Sequence, residues 1–176
     1  RPVLCCKCDR AVLRASSSHI HHITTTSSPA YEFAVQDNRV TTFNLDPARN
    51  FAVDPVRYVD SVLRSHADTA VLISPNNPDG YLIPDDDLEW ILSKLNSLNT
   101  IIVDESFIHF ADNATPHGEL PSLTGITNQF DNVTIVKSMS KDFGIDGIRA
   151  GYSIMPAERV TQLIDYGYLW NTGGIA

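Results

Sequence analysis

Residues 100–106 read TIIVDES, a short apolar run that ends in two acidic residues. An unbroken apolar run of this length indicates a strand that is buried on both faces, as in a parallel sheet. A carboxylate directly after such a strand is costly to bury unless a cation or a hydrogen-bond donor meets it. Asp104 is therefore interpreted either as a cap or structural ion-pair partner, or as an anion that awaits a ligand cation.

Four other segments have the pattern of strands. TAVLIS (69–74), VTIVKSMS (133–140) and IRAGYSIM (148–155) are apolar runs, and VTTFNL (40–45) alternates. Helical patterns separate most of them, and strands that alternate with helices indicate βαβ crossovers. The expected fold is α/β, a three-layer α/β/α sandwich with a mostly parallel sheet.

Three helices are predicted among these strands. The first begins at Pro55 behind the capping residue Asp54, and its apolar positions are Val56, Val59, Val62 and Leu63. The second begins near Pro84 with three aspartates that suit the positive end of a helix, and its apolar stripe is Leu88, Ile91, Leu92 and Leu95. The last begins at Pro156 and ends near Tyr166.

The bulk composition fits one domain with a sizeable core. The chain has 176 residues, 43% of them hydrophobic and 19% charged, with a formal net charge of −8. A net negative charge argues against a nucleic-acid or anionic-membrane partner. No apolar run approaches the ~20 residues of a transmembrane helix, and no signal-peptide pattern is visible, so a cytoplasmic location is expected.

Residues 1–28 lack a sustained period, and their Ser and Thr runs resemble loop or disorder. They are set apart as an atypical segment from a core of residues 29–176. The cysteines Cys5, Cys6 and Cys8 could bind zinc together with His19, His21 and His22. Their spacing differs from that of structural zinc sites, which favours an unspecialised segment in a reducing compartment and no metal site.

Polar residues follow the predicted strands, where ligands bind in open α/β sheets. SPNNPDG (74–80) is a rigid turn that carries two amides, and SMSK (138–141) brings two hydroxyls next to Lys141. Hydroxyls and turn amides can hold a phosphate, and Arg149 can add a bidentate contact. Each cluster alone is also explained as a plain turn or a solvated cation. Together with Asp104 they suit one ligand, pyridoxal 5′-phosphate, bound by Lys141 as a Schiff base.

Three motifs in order resemble those of the fold type I aminotransferases of class I/II, in particular the histidinol-phosphate-aminotransferase-like branch. SPNNPDG is similar to that group's NPNNPTG, VDESFIHF to DEAYIDF, and SMSKDFGIDGIRAGY to SLSKAFGLAGLRIGY. The resemblance runs from about Pro29 to the end of the chain. It implies the large-domain core of a pyridoxal-phosphate enzyme.

The resemblance also implies a role for each matching residue. Lys141 is similar to the lysine that bonds to the cofactor and then moves the substrate proton, and Asp104 to the carboxylate that pairs with the ring nitrogen. Asn77 corresponds to the donor to the phenolic oxygen, and Tyr31 to the aromatic residue that stacks on the ring. The phosphate contacts correspond to Ser138, Ser140 and Arg149.

The chain departs from the family pattern in several places. Phe107 replaces a tyrosine that also donates to the phenolic oxygen, which should make the Schiff-base nitrogen hold its proton more tightly. Asp79 replaces a threonine of the turn, a milder change. No glycine-rich phosphate turn is recognised in residues 1–28, and the family's small domain would begin beyond Ala176, so the resemblance predicts a truncated member.

The resemblance implies an aminotransferase that acts on an amino acid and a 2-oxo acid and forms a dimer. Two alternatives stay open: a decarboxylase of phosphorylated amino acids from the same branch, and a non-catalytic truncated module that binds the cofactor weakly or serves a partner. A dinucleotide-binding fold and a P-loop are excluded because neither glycine motif occurs. His109 and His117 are interpreted as structural.

Overall fold

The structure is a computed structural model that describes residues 3–5, 19–24, 39–111, 122–148 and 150–165. Five candidate residues named in the sequence analysis lie outside this part of the chain: Cys6, Cys8, Tyr31, His117 and Arg149.

One seven-stranded sheet forms the centre of the fold. Its strands are β1 (Val3–Cys5), β2 (His19–Thr24), β3 (Arg39–Asn44), β4 (Thr69–Ile73), β5 (Thr100–Asp104), β6 (Val133–Ser138) and β7 (Gly151–Ile154). Their order across the sheet is β1-β7-β6-β5-β4-β2-β3. All pairs from β3 to β6 are parallel, whereas β7 is antiparallel to both β6 and β1. The predicted α/β fold with a mostly parallel sheet is confirmed.

Four α-helices accompany the described strands: α1 (Pro55–Ser65), α2 (Asp85–Lys94), α3 (Met139–Asp142) and α4 (Ala157–Asp165). The predicted starts of α1, α2 and α4 are confirmed to within a residue. The stripe predicted for α2 is also confirmed, because Leu88, Ile91, Leu92 and Leu95 are all buried. None of the helices in the described part of the chain has the length and hydropathy needed to span a bilayer.

The face predicted for α1 is half wrong. Val59 and Val62 are buried, but Val56 is 63% exposed and Leu63 is 50% exposed. Tyr58 is buried instead, with its ring edge-on to Phe43 and its hydroxyl donating to the Val71 carbonyl at 3.3 Å. This large side chain draws the buried arc of the helix toward itself and away from Val56 and Leu63.

The prediction of loop or disorder is wrong for residues 19–24, because β2 pairs with β3 on one side and with β4 on the other. Its histidines hide the strand pattern, yet His21 is buried and bonds through its two ring nitrogens to Thr41 and Ser61. The zinc hypothesis also involves Cys6 and Cys8, which lie outside the described residues, so the expectation of no metal site stays a prediction. Five strand spacings, about 24 Å, separate β1 with Cys5 from β2 with His21. No cluster of potential metal ligands occurs among the described residues.

The sheet brings three strand ends to one edge. Ile73, Asp104 and Val136 are register partners on β4, β5 and β6, so the segments that follow them start side by side. The Ser74 amide donates to the Asp104 carbonyl at 3.0 Å, which extends the pairing one residue past the end of β4. Ligands of open α/β sheets bind at this kind of edge.

Candidate active site

The turn after β4 is held rigid by one carboxylate. Asp79 accepts from the Asn76 side-chain amide at 2.5 Å through one oxygen and from the Tyr81 backbone amide at 2.8 Å through the other. Asn76 is buried by this arrangement, whereas Asn77 is exposed on the outside of the turn. Asp79 therefore closes the turn and leaves the neighbouring Asn77 exposed. The sequence analysis treated Asp79 only as a mild replacement for a threonine and did not indicate this role.

A cavity of about 430 Å³ lies between this turn and the segment after β5. Asn77 and Phe107 both line it, one from each strand end, and its other walls include Pro75, Leu82 and Phe110. Asn76 lines the cavity as well, so two amides stand among apolar and aromatic residues, and a few polar groups that fix the orientation of a ligand are typical of a small-molecule site.

Lys141, on the segment after the third strand end, lies beside Phe107, which lines this cavity. Its Nζ atom lies 5.3 Å from the centroid of the Phe107 ring, a cation–π contact. α3 carries the lysine and starts directly after β6, where the Ser138 hydroxyl caps the helix by accepting from the Ser140 amide at 3.2 Å. Asn77, Phe107 and Lys141 thus come together from segments that are far apart in sequence.

Asp104 lies at the end of β5, between β4 and β6, and is half-buried. One carboxylate oxygen accepts from the Ser106 amide at 2.9 Å, which orients the group. The structure therefore places Asp104, Ser138 and Lys141 at one edge of the sheet, as the sequence predicted. Tyr31 and Arg149 fall outside the described residues, so their expected roles stay predictions.

The sequence did not reveal a buried polar network beside these residues. Glu105 is 1% exposed, and its Oε2 atom lies 3.1 Å from the Lys137 ammonium and accepts from the Ser122 hydroxyl at 2.7 Å. Its Oε1 atom accepts from the Leu123 amide at 2.8 Å. The sequence did contain a signal for this ion pair, because Glu105 directly follows Asp104 at the end of one predicted strand and Lys137 directly precedes Ser138 at the end of another.

A second pair was also missed. His109 Nε2 lies 3.1 Å from Asp142 Oδ2, and the Asp142 side chain is only 1% exposed. Burial raises the pKa of the Asp142 carboxyl, while the nearby His109 and Lys137 lower it in part. The interpretation of His109 as a lone structural histidine overlooked this partner, which follows Lys141 in the chain.

A family model and two relatives match most of this chain. Residues 17–171 match the family model described as aminotransferase class I and II. The chain is 41% identical over 151 residues to L-serine phosphate decarboxylase from Campylobacter jejuni, covering 86% of this chain and 38% of that protein. It is 35% identical over 108 residues to histidinol-phosphate aminotransferase from Methanosarcina mazei, covering 61% of this chain and 26% of that protein.

A solved structure has the same fold. A decarboxylase from Sulfurospirillum multivorans superposes with a TM-score of 0.86 and 32% identity, covering 98% of this chain and 50% of that one. The chain therefore spans half or less of the length of these relatives.

Proposed function

Because the chain belongs to the aminotransferase class I and II family, we propose that it forms the cofactor-binding part of a pyridoxal-phosphate enzyme that decarboxylates a phosphorylated amino acid. The family depends on pyridoxal 5′-phosphate. The observation that carries the choice of reaction is the 41% identity to an L-serine phosphate decarboxylase over 86% of the chain. This choice differs from the aminotransferase favoured by the sequence motifs and follows the alternative left open there.

The described residues fit the cofactor. A cavity lined by two amides, one of them exposed, and two aromatic rings lies next to an amine, and a half-buried carboxylate stands at a strand end. We assign the amine to Lys141, the donor to the phenolic oxygen to Asn77 and the partner of the ring nitrogen to Asp104. The phosphate would be held by Ser138, Ser140 and Arg149, and Tyr31 would stack on the ring.

When bound, pyridoxal phosphate supplies an aldehyde for the substrate amine and a ring that withdraws electrons from the substrate α-carbon. Asp104 favours that withdrawal by keeping a proton on the ring nitrogen, since a carboxylate stabilises a neighbouring cation. Lys141 holds the cofactor and, once released, carries a proton to or from the substrate carbon.

Phe107 affects the site because it lacks the hydroxyl of the tyrosine that it replaces. Its ring lines the cavity and contacts the Lys141 side chain but offers no hydroxyl, so Asn77, from the turn after β4, would be the donor to the phenolic oxygen. With one donor fewer, a Schiff base on Lys141 would hold its proton more tightly.

Aminotransferase activity is the second candidate, because the family model and the histidinol-phosphate aminotransferase similarity favour it. The two reactions differ in which bond at the substrate α-carbon breaks. Decarboxylation releases carbon dioxide and returns the amine product, whereas transamination removes the α-proton and gives a 2-oxo acid. A small-molecule substrate, a homodimer and a cytoplasmic location are proposed from the same family resemblance.

The test uses the purified protein that contains this chain, loaded with pyridoxal phosphate and incubated with L-serine phosphate and a different 2-oxo acid, which supplies the amino acceptor that transamination needs. We expect carbon dioxide in excess of the 2-oxo acid formed from L-serine phosphate, and borohydride should fix the cofactor on Lys141 in a peptide map. Lys141→Ala should lower turnover by a factor of about 10²–10⁴, as expected for loss of a general base. Lys94→Ala, a change of an exposed lysine on α2, is the matched control.

A 2-oxo acid as the main product would replace this proposal with the aminotransferase. Cofactor that binds and is fixed on Lys141 without either product would instead favour the non-catalytic module. If borohydride fixes no cofactor on Lys141, the assignment of this residue is wrong.

A further inference from the structure

Two successive residues of the segment after β6 contact the turn that follows β5. Lys141 lies over the Phe107 ring at 5.3 Å, and Asp142 meets His109 at 3.1 Å. The Phe143 ring follows at 6.4 Å from the His109 ring. Phe107 and His109, at the start of this turn, thus contact residues 141–143, and His109 meets two of them.

The buried member of this set is Asp142. Its side chain is 1% exposed, whereas that of His109 is 35% exposed. Among the described residues neither carboxylate oxygen has an aligned hydrogen-bond donor, so the His109 ring nitrogen 3.1 Å from Oδ2 is its main partner. The charged groups that act on it are His109 from the turn and Lys137 from β6, and Lys137 is already paired with Glu105. Separating His109 from Asp142 would leave a desolvated carboxylate poorly compensated.

α3 is anchored at its start, where the Met139 amide donates to the Ala150 carbonyl at 3.1 Å. Its other end is held less well, because the helix contains four residues, fewer than an isolated helix needs, and Gly144 follows shortly with φ at +62°. Lys141 is exposed and ends in a flexible side chain, so the place of its amine depends on where the backbone of α3 is anchored. The anchor nearest to it in sequence is the very next residue.

We propose that His109 and Asp142 are positioning residues that clamp α3 to the turn after β5 and thereby hold the Lys141 amine at the Phe107 wall of the cavity. The proposal rests on the proposed function, in which Lys141 is the amine that bonds to the cofactor. It predicts that the pair controls cofactor capture by Lys141, although neither residue lines the cavity.

The test compares the unmodified protein with His109→Asn, Asp142→Asn, the double variant of both, and the exchange His109→Asp with Asp142→His. Two controls remove the same groups elsewhere: His66→Asn at the exposed end of α1, where Asn tolerates the left-handed backbone, and Asp146→Asn at the exposed turn after Gly144. Each protein is titrated with pyridoxal phosphate, and the fraction of Lys141 fixed by borohydride is measured by peptide mapping. The visible circular dichroism of the bound cofactor is recorded against pH.

Each single variant should bind pyridoxal phosphate about tenfold more weakly, the order of magnitude of coupling between contacting charged groups. The double variant should be no weaker than the singles, and the exchange should recover much of the loss. The dichroism of the bound cofactor should change in the singles, because the amine meets the ring from a different position. Both controls should match the unmodified protein.

Several outcomes overturn the inference. Single variants that capture the cofactor like the unmodified protein, or singles whose effects simply add in the double variant, show that the pair does not position Lys141. A lower unfolding temperature with unchanged cofactor affinity and dichroism assigns the pair a structural role only. If Asp142→Asn does not fold, His109→Asn decides, since this side chain is partly exposed. If borohydride fixes no cofactor on Lys141 of the unmodified protein, the proposed function itself is rejected. That result differs from the outcomes above, which concern the variants only.

Discussion

Glu105 and Lys137 join the two strand ends that carry Asp104 and Ser138. Both charged groups are almost fully buried, and Ser122 completes the triangle by donating to Glu105 and accepting from Lys137 at 2.9 Å. An intact buried pair of this kind gives little net stability, because desolvation offsets the attraction. Its effect on this site is geometric, since it fixes the spacing of β5 and β6 where the site residues begin.

Glu105→Gln tests this pair at the level of one residue. The change leaves the Lys137 ammonium buried without its counter-charge, so the free energy of unfolding should fall by about 3–5 kcal/mol in urea denaturation. The variant with methionine at both positions should recover a large part of the loss, because no charge stays buried. Glu89→Gln on the exposed face of α2 should change stability little, and an equal loss there would contradict the explanation.

The sequence pattern alone does not say which of the adjacent residues Asn76 and Asn77 serves the site. Both are amides of one turn, and the family resemblance selected Asn77. Both line the cavity, but the Asn76 amide is buried and donates to Asp79, whereas Asn77 is exposed.

At the level of the element, α1 shows how far local signals reach. Asp54 precedes Pro55 and accepts from the Arg57 amide at 3.1 Å, as its position predicted. Arg49, a residue that no helix pattern singles out, donates to the same carboxylate at 2.7 Å. The bond from Arg49 and then that from the Arg57 amide lower the pKa of Asp54.

Asp54→Ala should lower the free energy of unfolding by about 1 kcal/mol at neutral pH, the typical value of an N-cap. Because the folded pKa of Asp54 is depressed, its contribution is present above the unfolded pKa and is lost as pH falls through the folded pKa. The stabilities of the two proteins should therefore converge in acid. Urea unfolding at several pH values measures this, with Asp60→Ala in the exposed α1 pair to Arg64 as control. A difference that persists unchanged in acid would contradict the cap.

At the level of the whole molecule, the parallel register gathers residues from three segments that the chain keeps well apart. The turn after β4, the turn after β5 and α3 after β6 become neighbours because their strands are adjacent in the sheet order. A ligand that contacts all three segments should therefore stabilise the entire fold.

Pyridoxal phosphate at a hundredfold excess over its dissociation constant should raise the free energy of unfolding by about 2.7 kcal/mol, because the unfolded chain lacks the site. Thermal denaturation with and without the cofactor measures this effect. Lys141→Ala should show a smaller rise at the same concentration, whereas Lys94→Ala should respond like the unmodified protein. An unfolding temperature that does not respond to the cofactor would argue against binding at the gathered strand ends.

The sequence by itself determined the α/β class, the five strands from 40 to 155, the helix starts at Pro55, Pro84 and Pro156 to within a residue, and the family. These depend on local hydrophobic period, on capping residues and on motifs read along the chain. It did not determine β2, because its polar histidines disguise the strand, although His21 is satisfied by Thr41 and Ser61.

Only the tertiary structure decided which side chains meet across strand ends. Phe107 with Lys141, His109 with Asp142 and Glu105 with Lys137 are each more than 30 residues apart, so no local pattern contains them. They meet because parallel pairing of β5 with β6 places the two strand ends in register, and sheet order is a property of the folded chain as a whole.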